Sequence, residues 1–374
     1  MYWKKGIVIC AVAAMAFSGC GKKDAPKDDT VVETQEDKKI DKSKVHIETA
    51  EDVQNKEKDT TSQDAPQGQV ASYLTGEYVP EAVGRRRPVA IMLNNIQAAV
   101  PQSGIAKAGV VYEAPVEGDI TRLMGIFEDY DDLEKIGSVR SCRDYYIFYA
   151  LEFDAIYAHY GQAAYAIPYL EQDFVNNLSG LSSYGDNIYY RTTDRKAPHN
   201  VYIGYEGIQE GIKICNYSQE YSADYDGHYQ FAKAGESVDL ADGTTANKVS
   251  LDCYTVNKPW FEYDEASKKY NRFQYGGPQI DELTNEQLAY DNIILEYAQY
   301  KVYDQNGYLN IDPITAGTGK YITHGKAIDV RWEKDAPYGV THYFDQNNQE
   351  ITLNTGKTWV AIILNDRTDK VSIQ

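Results

Sequence analysis

The apolar pattern of this chain changes period near residue 216, and that change constrains the fold more than any single motif. Upstream, Pro88-Val89-Ala90-Ile91-Met92-Leu93 is unbroken, as expected of a strand covered on both faces. Ala108 to Tyr112, Thr121 to Phe127 and Asp154 to Ala158 read as further strands. Between and after them, Asp144 to Phe153 and Ala164 to Leu178 read as helices, the second interrupted at Pro168. Tyr205 to Cys215 sets Ile208 and Ile212 on one helical face. Strands alternating with helices predict an α/β domain over residues 75–217.

Downstream, the period is two. Val249 to Tyr254, Trp260 to Tyr263, Tyr270 to Phe273 and Asn292 to Tyr303 alternate apolar and polar residues. Asp304-Gln305-Asn306-Gly307 is a hairpin turn signal. Ala327 to Trp332, Val340 to Phe344 and Thr358 to Ile363 add strands, and only a turn around Asn285 to Ala289 suggests helix. Residues 218–374 therefore read as a mostly β domain, a barrel or curled sheet, and the whole chain as α+β.

The first 74 residues belong to neither pattern. Tyr2-Trp3-Lys4-Lys5 is a positive start, Gly6 to Phe17 is a short apolar core, and Ser18-Gly19-Cys20 places small residues before a cysteine. Twelve apolar residues are too few to span a bilayer, which takes about 20. Residues 1–20 read as a lipoprotein signal peptide, with Cys20 acylated after cleavage. Residues 21–74 carry Lys, Asp, Glu, Thr and Gln, with no aromatic residue before Tyr73. Such a composition cannot bury enough apolar surface to offset its ordering entropy. It reads as a disordered tether, with a reach of roughly 40 Å for some fifty residues. The expected location is the extracytoplasmic face of the cell membrane, held by the N-terminal lipid.

Charge narrows the partners. The net charge of −19 argues against nucleic acid, whose phosphates require clustered Lys and Arg. It also argues against a polybasic membrane patch, leaving the lipid to anchor the chain. Beyond Cys10 and Cys20, Cys142, Cys215 and Cys253 are too few and too odd in number for a disulfide scaffold, so free buried thiols are expected. The 33 tyrosines suit β-strands and half-buried rings, and could also stack on sugars.

Several separated segments carry a resemblance. Arg87-Pro88-Val89-Ala90-Ile91-Met92-Leu93-Asn94-Asn95, Pro101-Gln102-Ser103-Gly104, Val111-Tyr112-Glu113-Ala114-Pro115-Val116-Glu117-Gly118 and Ile120-Thr121-Arg122 resemble the YerB-like family of bacterial lipoproteins. Ile136-Gly137-Ser138-Val139-Arg140-Ser141-Cys142-Arg143 is similar to its arginine-bearing segment, and Ala197-Pro198-His199-Asn200-Val201-Tyr202 to another block. Gly317-Thr318-Gly319-Lys320-Tyr321, Arg331-Trp332-Glu333-Lys334 and Gly356-Lys357-Thr358-Trp359 resemble its C-terminal domain. The resemblance covers about residues 75 to 366. It implies a membrane-anchored protein with two adjoining domains, and no reaction. Cys142 departs from the small residue, such as Ala, usual in the family, which weakens any reading of it as a nucleophile.

Standard catalytic signatures are missing. Gly319-Lys320 and Gly356-Lys357-Thr358 both lack the first glycine of a phosphate loop. His159 has no metal-ligand spacing around it, and no Gly-x-Ser-x-Gly elbow appears. No metal or cofactor is expected. Arginine is more telling. Residues 110 to 200 hold Arg122, Arg140, Arg143, Arg191 and Arg195 against Lys135 and Lys196 alone, in a chain otherwise richer in lysine. The planar guanidinium grips carboxylate or phosphate with paired hydrogen bonds. Internal pairing with Glu113, Glu117, Asp119 and Asp144 would satisfy these arginines. The other reading is a ligand cleft.

In an open α/β sheet such a cleft lies beyond the carboxyl ends of the strands. Asn94, Glu113, Glu117, Arg122, Arg140, Arg143, His159, Arg191, Arg195, His199 and Asn200 are the candidate ligand residues. Glu113, Arg122, Arg140, Arg143, His159, Arg195 and His199 are expected to line one opening. The function expected is non-catalytic binding or adaptor work at the envelope, on a cell-wall glycan or a membrane-protein partner. The alternative is an envelope hydrolase acting on a glycan or an anionic small molecule, with Glu113, Glu117 and Asp119 as the carboxylates to suspect.

Overall fold

The structure, a computed structural model, describes residues 65–334 and 336–374. The signal segment, Cys20 and the tether up to residue 64 lie outside the described residues. The architecture is α+β, with an N-terminal domain and a mostly β C-terminal domain.

One eleven-stranded sheet runs through both domains. The N-terminal domain supplies β1 (Val89–Asn94), β2 (Val110–Pro115), β3 (Thr121–Phe127), β4 (Ile156–His159) and β5 (Asn177–Ser179). The C-terminal domain supplies β6 (Thr244–Thr245), β7 (Asn292–Ala298), β8 (Ala316–Thr323), β9 (Lys326–Lys334), β10 (Thr341–Phe344) and β11 (Thr358–Leu364). The order is β6-β9-β8-β7-β11-β2-β3-β1-β4-β5, with β10 also on β9. The late strand β11 lies parallel between β7 and β2, and so welds the two domains into one sheet. No barrel forms. The second sheet is open too, built on Lys248–Leu251, Trp260–Asp264 and Lys269–Gln274, with Val371–Ile373 at one edge.

Every residue of β1, β2, β3 and β11 is buried, which explains their unbroken apolar runs. On one face, helix α2 (Tyr205–Cys215) sets Ile208 and Ile212 against Leu178 and Ala158. The second sheet covers the same face further along, packing Phe261, Tyr270 and Tyr290 with Trp359, Ile293 and Leu295. On the other face, helix α1 (Asp144–Leu151) brings Tyr145, Tyr146 and Tyr149 onto Met92, Tyr112 and Met124. Each large apolar side chain buried this way contributes about 1.5–3 kcal/mol.

Three expectations need correction. The helix over Ala164 to Leu178 is only a turn, Ala164–Ala166, and a short helix, Ile167–Leu170. Pro168 sits in its first turn, where a missing N–H costs nothing, and the chain then extends into β5. Folded chain begins earlier than residue 75. Gln69–Ala71 pairs with Tyr78–Pro80 and Leu74 is fully buried, so a short apolar motif ends the charged segment. Around Asn285 the chain makes a left-handed turn into the strand Ala289–Tyr290.

Candidate ligand site at the carboxyl edge of the sheet

The strands β1, β2, β4, β5, β7 and β11 run parallel, so their carboxyl ends share one edge of the sheet, where the antiparallel β3 and β8 begin. Side-chain parity then sorts polar groups by face. Asn94 is the direct partner of Arg122, and both follow the parity of Met92 and Met124 toward α1. Glu113 pairs with Leu123 and takes the opposite face.

On the α1 side a polar cluster forms. Arg122 donates to the Ser141 carbonyl at 2.7 Å and lies 3.8 Å from Glu117 Oε1. Arg143, immediately before α1, donates through Nε to Glu117 Oε2 at 2.9 Å and through Nη2 to Oε1. Its Nη1 donates to the Cys142 carbonyl at 2.9 Å. Arg140 is fixed by its backbone N–H on the Met92 carbonyl, and its Nη1 reaches the Pro198 carbonyl at 3.4 Å. The next residue, His199, meets Asn94 Nδ2 through Nδ1 at 2.9 Å. Asn94, Glu117, Arg122, Arg140, Arg143 and His199 are thereby brought together.

Tyrosines wall this cluster. The hairpin Tyr300–Val302 and Leu309–Ile311 turns at the expected Asp304 to Gly307. It folds Tyr308 under Arg143, with the guanidinium 5.1 Å from the ring centre. Tyr303 stacks on Tyr165 at 4.0 Å between ring centres and donates to Asp144 Oδ2 at 2.5 Å. Ser141, Tyr165, Tyr303 and Tyr308 join the cluster although no sequence motif singles them out. The Asn-Gly turn was a visible signal of the hairpin, yet no local pattern says where its rings land.

The other candidates lie elsewhere. Glu113 is fully buried between the two sheets, where Arg272 Nη2 donates to Oε2 at 2.6 Å. Asn257 and Thr121 each donate to its Oε1 at 2.8 Å. His159 is also fully buried, with Nδ1 2.8 Å from the Gly161 carbonyl and Nε2 3.3 Å from Asn177 Oδ1. Arg195 donates to the carbonyls of Ala99 at 2.9 Å and Pro101 at 2.7 Å, and so pins a loop. Arg191 donates to Asn200 Oδ1, and Asn200 to the Thr192 carbonyl, as a separate pair. The single opening expected of Glu113, His159 and Arg195 with the other arginines is therefore corrected. The sheet stands between Glu113 and the cluster, and backbone carbonyls hold the other two.

Electrostatics follows from burial. Burial raises the Glu117 carboxyl, but the Arg143 charge and hydrogen bond, with Arg122 behind, outweigh it and lower its pKa. Burial pushes Asp144 up to about 6 against the Tyr303 hydrogen bond. Burial lowers His159, favouring the neutral ring. Burial also carries the Cys142 thiol up to about 12, far from a reactive thiolate. Among the described residues, no group of three or more His, Cys, Asp or Glu could hold a metal. No helix among them is long and apolar enough to cross a membrane.

Residues 74–218 match the family described as "Protein of unknown function (DUF3048) N-terminal domain", and residues 249–360 match its C-terminal domain. The chain belongs to this family. The chain is also similar to a Bacillus subtilis (strain 168) protein named "Putative lipoprotein YerB", 31% identical over 292 residues, covering 78% of this chain and 85% of that one. The crystal structure of the YerB protein from Bacillus subtilis superposes with a TM-score of 0.72 at 29% identity, covering 82% of this chain and 99% of that chain. The DUF3048 match spans both domains, and the lipoprotein relative points to anchoring by a lipid.

Proposed function

We propose that this protein is a lipid-anchored, extracytoplasmic binding protein of the cell envelope. Its ligand is an anionic envelope component held by Asn94, Glu117, Arg122, Arg140, Arg143 and His199. The observation that carries this reading is the gathering of three arginines at the carboxyl edge of a largely parallel sheet, where open α/β sheets place their ligands. Guanidiniums are the groups of choice for carboxylate and phosphate, and the neighbouring tyrosines offer flat surface beside them. The Ser-Gly-Cys20 segment and the lipoprotein relative support the anchor.

Binding is favoured over glycan hydrolysis by the carboxylates. A glycosidase needs two of them facing one bond, one protonated as an acid. Glu113 faces the interior on Arg272, and Asp119 faces Arg367 at 3.2 Å. Glu117 is held toward its ionised form by Arg143.

The test is co-sedimentation of the full-length protein, in detergent, with purified cell-wall sacculi. Wild type is expected to pellet, and Arg140→Ala and Arg122→Ala to remain in solution, each shown by circular dichroism to be folded even where loss of the buried Arg122 lowers the melting temperature. Equal pelleting of all three would reject the site. Failure of wild type to pellet, with Arg140-dependent crosslinking to a membrane protein instead, would replace the glycan by that partner.

A further inference from the structure

We infer that the aromatic rings along the outer side of α1 form a sugar-stacking ledge, and that the ligand is a glycan whose anionic groups reach the arginines while its uncharged sugar rings lie on this ledge. This rests on the binding reading above and adds the chemistry of the rest of the ligand.

The ledge lies on the α1 side of the sheet, as the arginines do, and begins in contact with them. Arg143 immediately precedes α1 and lies over Tyr308. Tyr308 meets Tyr165 edge-on at 5.9 Å, and Tyr165 stacks on Tyr303 with the ring planes 8° apart. The Tyr165 hydroxyl donates to Asp304 at 3.1 Å and that of Tyr303 to Asp144, so both rings are fixed in orientation. Asp144 and Phe148 are four residues apart on α1 and so share one side of the helix, about 6 Å apart along it. Phe148 packs on Tyr169 at 5.2 Å and lies flat against Tyr338, with the ring planes 2° apart. Phe174 closes the row at 4.8 Å from Tyr338. Burial, then the nearby Asp144 and Tyr338, raise the Tyr169 hydroxyl, which places that ring between the two groups.

The row is open to solvent, and its chemistry suits a sugar. Phe148 is buried beneath it, whereas Tyr165, Tyr169, Tyr303 and Tyr338 are half-buried and Phe174 is 42% exposed. Phe148 covers one side of Tyr338, so the exposed area of that ring is on the other. Flat rings of this kind stack on the apolar face of a pyranose. The charges around them are acidic. Glu171 and Asp173 are exposed beside Phe174, Asp304 borders Tyr165, and residues 160–175 contain no Lys or Arg. Carboxylates accept hydrogen bonds from sugar hydroxyls and repel phosphate or another carboxylate. A charged glycan is therefore sorted along its length, with anionic groups at the arginines and neutral rings on the ledge. The same carboxylates, in a chain of net charge −19, disfavour an anionic lipid surface as the occupant.

Calorimetric titration of the full-length protein in detergent tests the ledge. The probes are a muramic-acid monosaccharide, a soluble muramic-acid oligosaccharide and a polyol-phosphate chain, which has charge but no sugar rings. Phe174→Ala with Tyr338→Leu removes two flat rings while the leucine keeps Phe148 covered. Wild type is expected to bind the oligosaccharide more tightly than either other probe. The double variant should lose about ten-fold in affinity for the oligosaccharide and none for the monosaccharide, whose retained binding also shows the variant to be folded. Arg140→Ala should weaken both sugars. Oligosaccharide affinity unchanged in the double variant, with Arg140→Ala impaired, overturns the ledge and leaves the arginine site standing. The reverse pattern overturns the arginine site and leaves the ledge. Tightest binding of the polyol-phosphate chain, or a photo-crosslinker at residue 174 that traps a membrane protein or lipid while no sugar binds, overturns the sugar as occupant. No binding of any probe by wild type overturns both.

Discussion

Glu113 and Arg272 meet at 2.6 Å with both side chains fully buried, one on a strand of the first domain and one on the second sheet. The guanidinium also lies over the Trp359 ring at 3.9 Å and near Phe261 at 4.8 Å. A pair taken this far out of water repays its desolvation only while both partners stay. Arg272→Met should therefore cost about 3–5 kcal/mol in a denaturant titration, because it strands the carboxylate. A loss under about 1 kcal/mol, the range of exposed pairs, would show that the pair does not bind the domains together.

Glu296 makes stability depend on pH. Burial first, and the Glu152 carboxylate second, raise its pKa from 4.5 to about 8. Lys334 and the hydroxyls of Tyr343 and Tyr149 act in the other direction without prevailing. The folded protein keeps this proton to about pH 8, whereas the unfolded chain releases it near 4.5. Folded protein thus binds more protons over that interval, and stability falls as pH rises through it. Asp144, raised to about 6, and Glu128, raised to about 7, slope the same way. Glu296→Gln should flatten the denaturation midpoint between pH 5 and 8 relative to wild type. Parallel curves for the two proteins would dismiss the effect.

Cys142, Cys215 and Cys253 are all unpaired, and burial pushes the thiols of Cys142 and Cys253 up to about 12. The mature protein should yield three titratable thiols after unfolding without reductant. In the native state Cys142 and Cys253 should resist alkylation. Recovery of a single thiol would mean that two have been oxidised together.

Cys20 lies in the segment that reads as a lipoprotein signal, after Ser18-Gly19. Cys20→Ala should shift the protein to the soluble fraction or leave an uncleaved precursor on an electrophoretic gel. A processed variant that stays on the membrane would place the anchor at another residue.

Much of the local structure was legible. Thr121 to Phe127 and Tyr205 to Cys215 are found with the bounds their patterns give, because apolar spacing and a capping Asn216 act within a few residues. The stretch Ala164 to Leu178 misled because its apolar residues fit a helix, while Pro168 and the pairing of β5 with β4 decide otherwise. The site was legible in its residue types and only partly in its membership. Arg122, Arg140, Arg143 and His199 gather with Asn94 and Glu117, whereas Glu113 and His159 sit at strand ends that look the same in sequence.

By itself, the sequence determined the element types, the acidic and aromatic-poor N-terminal segment, and which residue types could grip an anion. These are properties of short windows, governed by side-chain period, turn chemistry and composition. Only the tertiary structure decided that β11 inserts between β7 and β2, making one sheet of two domains. Only it decided that Glu113 turns inward to Arg272, while Arg122, on the adjoining strand, turns outward to Glu117. Strand order is set by contacts between residues hundreds of positions apart. A one-residue difference in register sends neighbouring side chains to opposite faces, so position along the chain could not foretell which charges would meet.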